Sequence, residues 1–161
     1  MSQRLTTAGL TLSYAVEGTA GTRPTLASAY TAVAEVKDIP SLNPTPEALE
    51  STTLSETEYK TYEAGLKDLG GVLEFTANLT ADLLTAWNTT LITASETGAA
   101  ANPSKATWFC VQHPSLANAV YFKGKPVSIG LNEAAVNAML ETTLYIAPQS
   151  APEWAAKPSS T

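Results

Sequence analysis

Short segments in which apolar and polar residues alternate are the feature that most limits the fold of this chain. In residues 10–16 the apolar positions are Leu10, Leu12, Tyr14 and Val16. In residues 72–79 they are Leu73, Phe75, Ala77 and Leu79. Successive side chains of a β-strand point to opposite faces, so this period of two predicts strands with one buried face.

Weaker strand patterns recur through the rest of the chain. They lie at residues 30–37, 50–55, 59–65, 107–112, 118–123 and 126–131. Between them stand clusters of Gly, Pro and Asn, which are typical of turns. Many short strands joined by such turns predict a mainly β fold, either an antiparallel β-sandwich or a partial barrel.

One segment has the spacing of a helix. Thr80 can cap the first turn, and Asp82 suits the positive end of the helix dipole. We predict a helix over about residues 80–95, ended near Gly98, that lies across the sheet. Its anchoring side chains, at intervals of three and four residues, are Leu84, Trp87 and Leu91.

Residues 135–148 fit two patterns. Val136, Leu140 and Leu144 are apolar at positions that suit either a strand or a helix. The β-branched and aromatic residues of "TTLYI" favour a final strand from about Leu140, stopped by Pro148.

Length and composition indicate one domain. The chain has 161 residues, of which 44% are hydrophobic, enough for a core of its own. We expect a single domain over residues 1–161, with an N-terminal segment (1–28) and a C-terminal tail (148–161). No segment resembles a membrane helix or a signal peptide, so we expect no membrane contact and synthesis in the cytosol. Cys110 is the single cysteine, which excludes a disulfide within the chain.

The negative charge of the chain is concentrated in one region. The net charge is −6, and residues 35–82 alone hold ten acidic residues and three lysines, a net charge of −7. A surface of this kind repels phosphate. The charge therefore argues against ordinary nucleic-acid binding.

The sequence lacks the patterns of a catalytic or metal site. His113 is the single histidine, and with Cys110 it offers two donors where a structural zinc site needs four. There is no nucleophile elbow, phosphate-binding loop or dinucleotide fingerprint. Glu56 and Glu58 could form an acid–base pair, but their polar surroundings favour ordinary solvated carboxylates. We therefore expect no catalytic residue, no metal and no cofactor.

Four pieces of sequence follow one another in a recognisable order and spacing. They are "GLTLSYAVEGTAGTRPT" (9–25), "VKDIPSLNPTPEALESTTLS" (36–55), "YKTYEAGLKDLGGVLEFTAN" (59–78) and the helix residue Trp87. Together they resemble the major tail (tail tube) protein of long-tailed bacteriophages that infect low-GC Gram-positive bacteria. The similarity extends from about residue 9 to about residue 147.

This resemblance implies a tail-tube-like β-sandwich that is completed only by oligomerisation. In that family six copies form a ring, their inner sheets join into one continuous barrel, and rings stack into the tube that conducts DNA from the capsid. It implies a non-enzymatic structural protein of the virion tail, assembled in the host bacterial cytoplasm. The implied partners are other copies of the chain and the tape-measure, tail terminator and tip proteins, while DNA passes through without specific binding.

The resemblance also gives a role to two sets of residues. A long loop over about residues 38–50 would stack on a neighbouring ring, through Ile39, Pro40, Leu42, Pro44, Pro46 and Leu49. An acidic channel would let DNA slide, and its candidate residues are Glu35, Glu50, Glu63 and Glu74. The alternatives are a mobile surface loop and ordinary solvated acids on the outer face.

Two other classes of function remain open from the sequence. A β-sandwich module of a virion or cell-surface assembly could bind carbohydrate or protein through Trp108, Tyr121 or Trp154, and would expose them in a groove. An enzyme on the same scaffold would need a pocket with a carboxylate of raised pKa. The resemblance itself fits a phage and a phage-derived bacteriocin particle equally, and flexible and contractile tails alike.

Overall fold

The computed structural model describes residues 4–160. A single long helix follows the sixth strand: it begins as α1 (Ala81–Leu84), continues through a π-helical segment (Thr85–Leu91) and ends as α2 (Ile92–Ala101). A 3-10 turn (Ala27–Ala29) precedes the second strand. The strands are β1 (Thr11–Val16), β2 (Thr31–Ala32), β3 (Val36–Asp38), β4 (Thr45–Glu50), β5 (Tyr62–Asp68), β6 (Leu73–Asn78), β7 (Thr107–Gln112), β8 (Asn118–Pro126), β9 (Glu141–Pro148) and β10 (Glu153–Ala156).

Eight of the strands form one curled antiparallel sheet, and β4 and β5 form a separate hairpin. The order in the large sheet is β2–β1–β7–β8–β9–β6–β3. Strand β8 pairs with β7 along one edge, and along the other edge it pairs first with β10 and then with β9. The sheet curls into a half-barrel with one helix, which confirms the predicted fold class.

The main core lies between one face of this sheet and the helix. The alternating residues of β6 point inward as predicted, and Phe75 and Ala77 are fully buried. In β1, Leu12 and Tyr14 join the same core, but Leu10 is exposed, and Ser13 and Ala15 are buried on the opposite face. Trp87 of the helix lies beside Phe109 of β7, whose ring stacks on Phe122 of β8 at a centroid distance of 5.5 Å. The inward-facing side chains of the strands and of the helix therefore form one apolar layer.

The π-helical segment holds two of the helix residues that are buried against the sheet, Trp87 and Leu91. The N–H of Ile92 donates to the carbonyl oxygen of Trp87, five residues earlier, which widens the turn. A wider turn keeps residues four apart on one face. Leu83, Trp87 and Leu91 are buried as a result, whereas the predicted anchor Leu84 is 42% exposed, so that part of the prediction is wrong.

A second, smaller core covers the other face of β7 and β8. Trp108, Cys110, Ala119 and Tyr121 are buried there, beneath Tyr30 and Ala155. An N-terminal and a C-terminal segment run side by side through a parallel bridge between Leu26 and Ser159. The carbonyl oxygen of Ser159 accepts from the N–H of Ala27, and the N–H of Ser159 donates to the carbonyl oxygen of Thr25. The predicted C-terminal tail is thus partly a strand, β10, that completes the edge of β8.

Glu17 is a buried carboxylate that joins three parts of this second core. Its Oε1 accepts from Nε1 of Trp108 at 2.8 Å, and its Oε2 accepts from the N–H groups of Gly21 and Ala106. Burial acts to raise the pKa of Glu17, but these hydrogen bonds and the charge of Lys123 outweigh burial, and the pKa lies below its usual value.

The structure corrects several predicted strand boundaries. The strand predicted at 50–55 lies earlier, at Thr45–Glu50, inside the segment predicted as a loop. Proline is tolerated here because Pro46 sits at a β-bulge between Pro46 and Ala48. The segment 30–37 is split into β2 and β3 at Glu35, whose φ of 64° interrupts the extended chain.

The strand predicted at 126–131 is not formed either. Strand β8 ends at Pro126, and the backbone of Ile129 bonds to a side chain of the helix instead of a neighbouring strand. Oδ1 of Asn88 accepts from the N–H of Ile129 at 2.8 Å, and Nδ2 of Asn88 donates to its carbonyl oxygen at 3.2 Å. The final strand predicted from about Leu140 to Pro148 is confirmed as β9. Within residues 4–160, none of the helices is long and apolar enough to cross a membrane.

Candidate assembly surface

The hairpin of β4 and β5 projects from the rest of the protein, that is, from the large sheet and the helix, which we call the body. Its strands pair with each other from Thr45 opposite Asp68 to Glu50 opposite Tyr62, and residues 51–61 form its tip. Neither strand pairs with the large sheet. Its side-chain hydrogen bonds stay within the hairpin and the turn beside it, such as the ion pair between Lys60 and Glu50 at 3.3 Å. The hairpin is therefore held by the body mainly through its two ends.

No residue of the hairpin strands is buried, although several are large and apolar. Within β4 all six residues are exposed, and β5 has one half-buried residue, Gly65. Grouped apolar side chains in water often mark a binding surface, and here Leu49 and Tyr62 lie on opposite faces, so both faces of the hairpin carry apolar area. The exposed apolar residues of this hairpin surface are Leu49, Leu54, Tyr59, Tyr62 and Leu66.

The large sheet ends in two short strands with an open side. Strand β2 pairs only with β1 and strand β3 only with β6, so each leaves one edge without a strand partner in the described chain. Open strand edges expose backbone donors and acceptors that can pair with another chain. The sheet edges and both edges of the hairpin are thus available for contacts between copies.

The predicted stacking residues fall into two groups. Ile39 and Leu42 are half-buried and pack on the core of their own copy. Pro44 is half-buried, Pro40 is also half-buried, and Pro46 and Leu49 are exposed on the hairpin. Leu49 also lies over Gly65, where an added Cβ would be 3.1 Å from Leu49 Cγ. Only Pro46 and Leu49, in the second half of the predicted loop, are therefore exposed among these residues.

The four predicted channel acids are all exposed, but they do not share one face. Leu49 is opposite Glu63 and Glu50 is opposite Tyr62, so Glu50 and Glu63 point to opposite faces of the hairpin. Glu74 lies on the outward face of β6, the face that also carries Asn78. Nδ2 of Asn78 donates to Glu35 at 3.3 Å, which brings Glu35 to the same side as Glu74.

The aromatic residues considered for ligand binding are mostly enclosed. Trp108 and Tyr121 are buried in the second core, and burial, with Cys110 beside it, raises the pKa of Tyr121 to about 12. Trp154 is 65% exposed, in a cleft with Val120 and Pro152. An exposed groove lined by all three aromatic residues is therefore not formed.

Cys110 and His113 do not approach each other as ligands. Cys110 is buried and its burial raises the pKa of the thiol. His113 Nδ1 accepts from the N–H of Ser115, and its Nε2 lies 3.0 Å from the carbonyl oxygen of Thr6. Among residues 4–160, no group of three or more His, Cys, Asp or Glu side chains is arranged to hold a metal ion.

Comparison with known proteins gives a likeness of fold. No family model matches the chain, and no curated protein matches it in sequence. A chain of the anti-feeding prophage baseplate, from a six-fold symmetrised cryo-EM structure, has a TM-score of 0.60 at 13% identity over 97% of this chain and 98% of that chain. A chain of the tail of an empty GTA particle, refined with C6 symmetry, has a TM-score of 0.52 at 14% identity over 95% and 100% of the two chains. This chain thus has a fold found in phage-like tail particles, over nearly its whole length.

Proposed function

We propose that this protein is a structural subunit of a phage-type tail, and that copies of it form six-membered rings that stack into a tail tube. The observation that carries the proposal is the hairpin surface, because five of its large apolar side chains are exposed and its two outer strand edges have no strand partner within residues 4–160. A two-stranded hairpin alone is marginally stable in water. Contacts with identical neighbours supply the missing burial.

The similarity of fold to chains of known assemblies also supports this proposal. Both neighbours come from assemblies with six-fold symmetry, one a baseplate and one a tail. A single copy has a sheet with open ends, which is suited to joining other sheets around a ring. We infer that the edges of β2, β3 and the hairpin complete a continuous barrel, and that residues Pro46 and Leu49 contribute to contacts with the neighbouring ring.

The outward face with Glu35 and Glu74 is our candidate for the channel wall. Acidic side chains repel the DNA backbone, and phosphate contacts supply most non-specific affinity, so such a wall would let DNA pass without sticking. Glu50 and Glu63 point to opposite faces of the hairpin, so at most one of them joins that wall. Tape-measure, terminator and tip proteins are the further partners that a tube of this kind requires, and its place is the virion tail.

A carbohydrate- or protein-binding module is the second candidate. It draws on Trp154, the one exposed residue of the three aromatics considered. A single exposed aromatic side chain offers little area for stacking on a sugar ring. A binding module of this kind would also leave the exposed apolar residues of the hairpin without a role.

Negative-stain electron microscopy of the full chain tests the proposal. We expect rings or tubes with six-fold symmetry at high protein concentration, and loss of these particles when Leu66 is changed to serine. Hydrogen exchange of the hairpin amides should be fast in single copies and slow in the particles. Hairpin amides as protected as those of β6 and β9 in single copies would contradict the proposal.

A further inference from the structure

A groove lined by lysines lies at the end of the sheet, beside the last turns of the helix. It has a volume of about 450 Å³, and α2, the loop before β7, and β8 form its sides. We call it the lysine groove; its polar lining includes Ser95, Glu96, Lys105, Lys123, Lys125 and Gln149. Three lysines against one glutamate make it a basic recess on a chain whose net charge is −6.

Two of these lysines, Lys105 and Lys125, form no ion pair with any of the residues that the structure describes. Lys123 lies 5.3 Å from the ring of Trp108, and its charge contributes to the lowered pKa of Glu17. The ion pairs within residues 4–160 join Arg23 to Glu153, Lys37 to Glu141 and Lys60 to Glu50, so they leave out Lys105 and Lys125. An opposite charge brought to the groove would therefore find free ammonium groups.

The hairpin carries the matching charge. Residues 45–68 hold two lysines and six acids, a net charge of −4, and their acids are Glu47, Glu50, Glu56, Glu58, Glu63 and Asp68. Glu56 and Glu58 stand at the exposed tip, and neither takes part in an ion pair of the described chain. An acidic projection and a basic recess thus occur on the same molecule.

We propose that the lysine groove receives the acidic tip of the hairpin from a second copy of this chain. The hairpin of one copy does not fill its own groove, since its side-chain hydrogen bonds and its ion pair stay within residues 45–70 and its adjoining loop. The contact joins two different surfaces, and such a heterologous contact repeats from copy to copy instead of closing into a dimer. The inference rests on the proposed function and names the surface that the hairpin meets.

Charge reversal with complementation is the first test. In Lys105→Glu/Lys125→Glu the tip meets a repelling groove, and in Glu56→Lys/Glu58→Lys the groove meets a repelling tip. We expect each variant to need about tenfold more protein to assemble, since exposed ion pairs are individually weak but add over the contact. An equimolar mixture of the two variants should assemble as the native chain does, because each tip then finds an opposite groove. Arg4→Glu, an exposed charge outside the groove, is the control and should assemble normally.

Cross-linking gives a second readout that does not depend on the shape of the particle. A carbodiimide couples carboxylates directly to lysines, and a mixture of ¹⁴N- and ¹⁵N-labelled chains distinguishes links between copies from links within one. We expect mixed-isotope links from Lys105 or Lys125 to Glu56 or Glu58. Links only within one copy, or only to acids outside the hairpin, would overturn the inference.

The outcomes separate the inference from the proposed function. Six-fold rings that form normally from both variants would refute the groove contact and leave the tail role in place. Mixed-isotope links in open chains without six-fold symmetry would support the groove contact and refute the ring. Binding of a short DNA duplex by the native chain, lost in Lys105→Glu/Lys125→Glu, would assign the groove to phosphate and overturn the inference.

Discussion

Strand β6 and the hairpin strands β4 and β5 differ in how much one copy can bury. In β6 every second residue is buried, and Leu73, Phe75 and Ala77 join the main core. In β4 no residue is buried, although its pairing with β5 is continuous apart from one bulge. The hairpin strands are joined by backbone hydrogen bonds without buried side chains, whereas β6 is also stabilised by the burial of its side chains. The large sheet thus has a buried core within one copy, and the hairpin has none.

The largest effect is expected in the body, from Trp87→Ala. Trp87 is 1% exposed, and its Nε1 donates to the carbonyl oxygen of Val127 at 2.8 Å. Removing a buried indole leaves a cavity and an unpaired carbonyl, so we expect a loss of about 3–5 kcal/mol in the free energy of unfolding. Urea denaturation measures it. Leu84→Ala, an exposed position on the same helix, should change stability by less than about 1 kcal/mol.

An intermediate effect is expected at Glu17, which belongs to the body although it is polar. Glu17→Ala leaves the indole N–H of Trp108 and two backbone N–H groups without their acceptor, and we expect a loss of about 2–3 kcal/mol. Thermal unfolding measures it. Glu17→Gln keeps one acceptor oxygen and should lose less stability than Glu17→Ala. Equal losses in the two variants would mean that the hydrogen bonds of the carboxylate do not contribute to stability.

The pH dependence of stability sharpens the role of Glu17. Its pKa is lowered in the folded chain, so its contribution is fully present above the ordinary glutamate pKa of about 4.3 and is lost as the pH falls through the lower folded value. The native chain should therefore lose more stability on acidification than Glu17→Gln. Parallel pH profiles of the two proteins would contradict this assignment.

The smallest effect on the single copy is expected in the hairpin. Leu66 is 85% exposed, so Leu66→Ala should change the free energy of unfolding by no more than about 0.5 kcal/mol. The same change should weaken assembly, because it removes apolar area that a neighbour would bury. Unfolding and sedimentation measured on one sample compare the two. A loss of more than about 2 kcal/mol in single copies would mean that the hairpin is already packed on the body.

The sequence predicted those elements in which the apolar positions of the pattern are the buried positions of the structure. Alternation located β1 and β6 because their partners across the core are apolar, and the cap at Thr80 located the start of the helix, where its side chain accepts from the N–H of Leu83. Strand β4 was placed too late, because Pro44 and Pro46 resemble a loop until the bulge is known. Of the three predicted helix anchors Trp87 and Leu91 are buried, but Leu83 takes the place of Leu84, and nothing in "TADLLTAWNTT" signals the π-helical turn that follows it.

Contacts between distant parts of the chain were less accessible to sequence reasoning. Glu17 and Trp108 are 91 positions apart in the chain, and the lysines of the groove come from different elements. No local pattern marks residues that only the curled sheet brings together. The apolar residues of the hairpin were visible in the sequence, but their alternation gives no indication of whether the buried face lies in the same copy.

The π-helical segment fixes the angular phase between the two ends of the helix. Near the start of the helix, Leu83 lies beside Tyr14 of β1, and near its end a Cβ added at Gly98 would lie 2.9 Å from Cγ1 of Val16 in the same strand. Each residue of an ordinary α-helix advances about 100° around the axis. Removing one residue from Thr85–Leu91 would restore the regular winding and rotate α2 by about that angle. The wider winding of Thr85–Leu91 therefore sets which side of α2 faces β1.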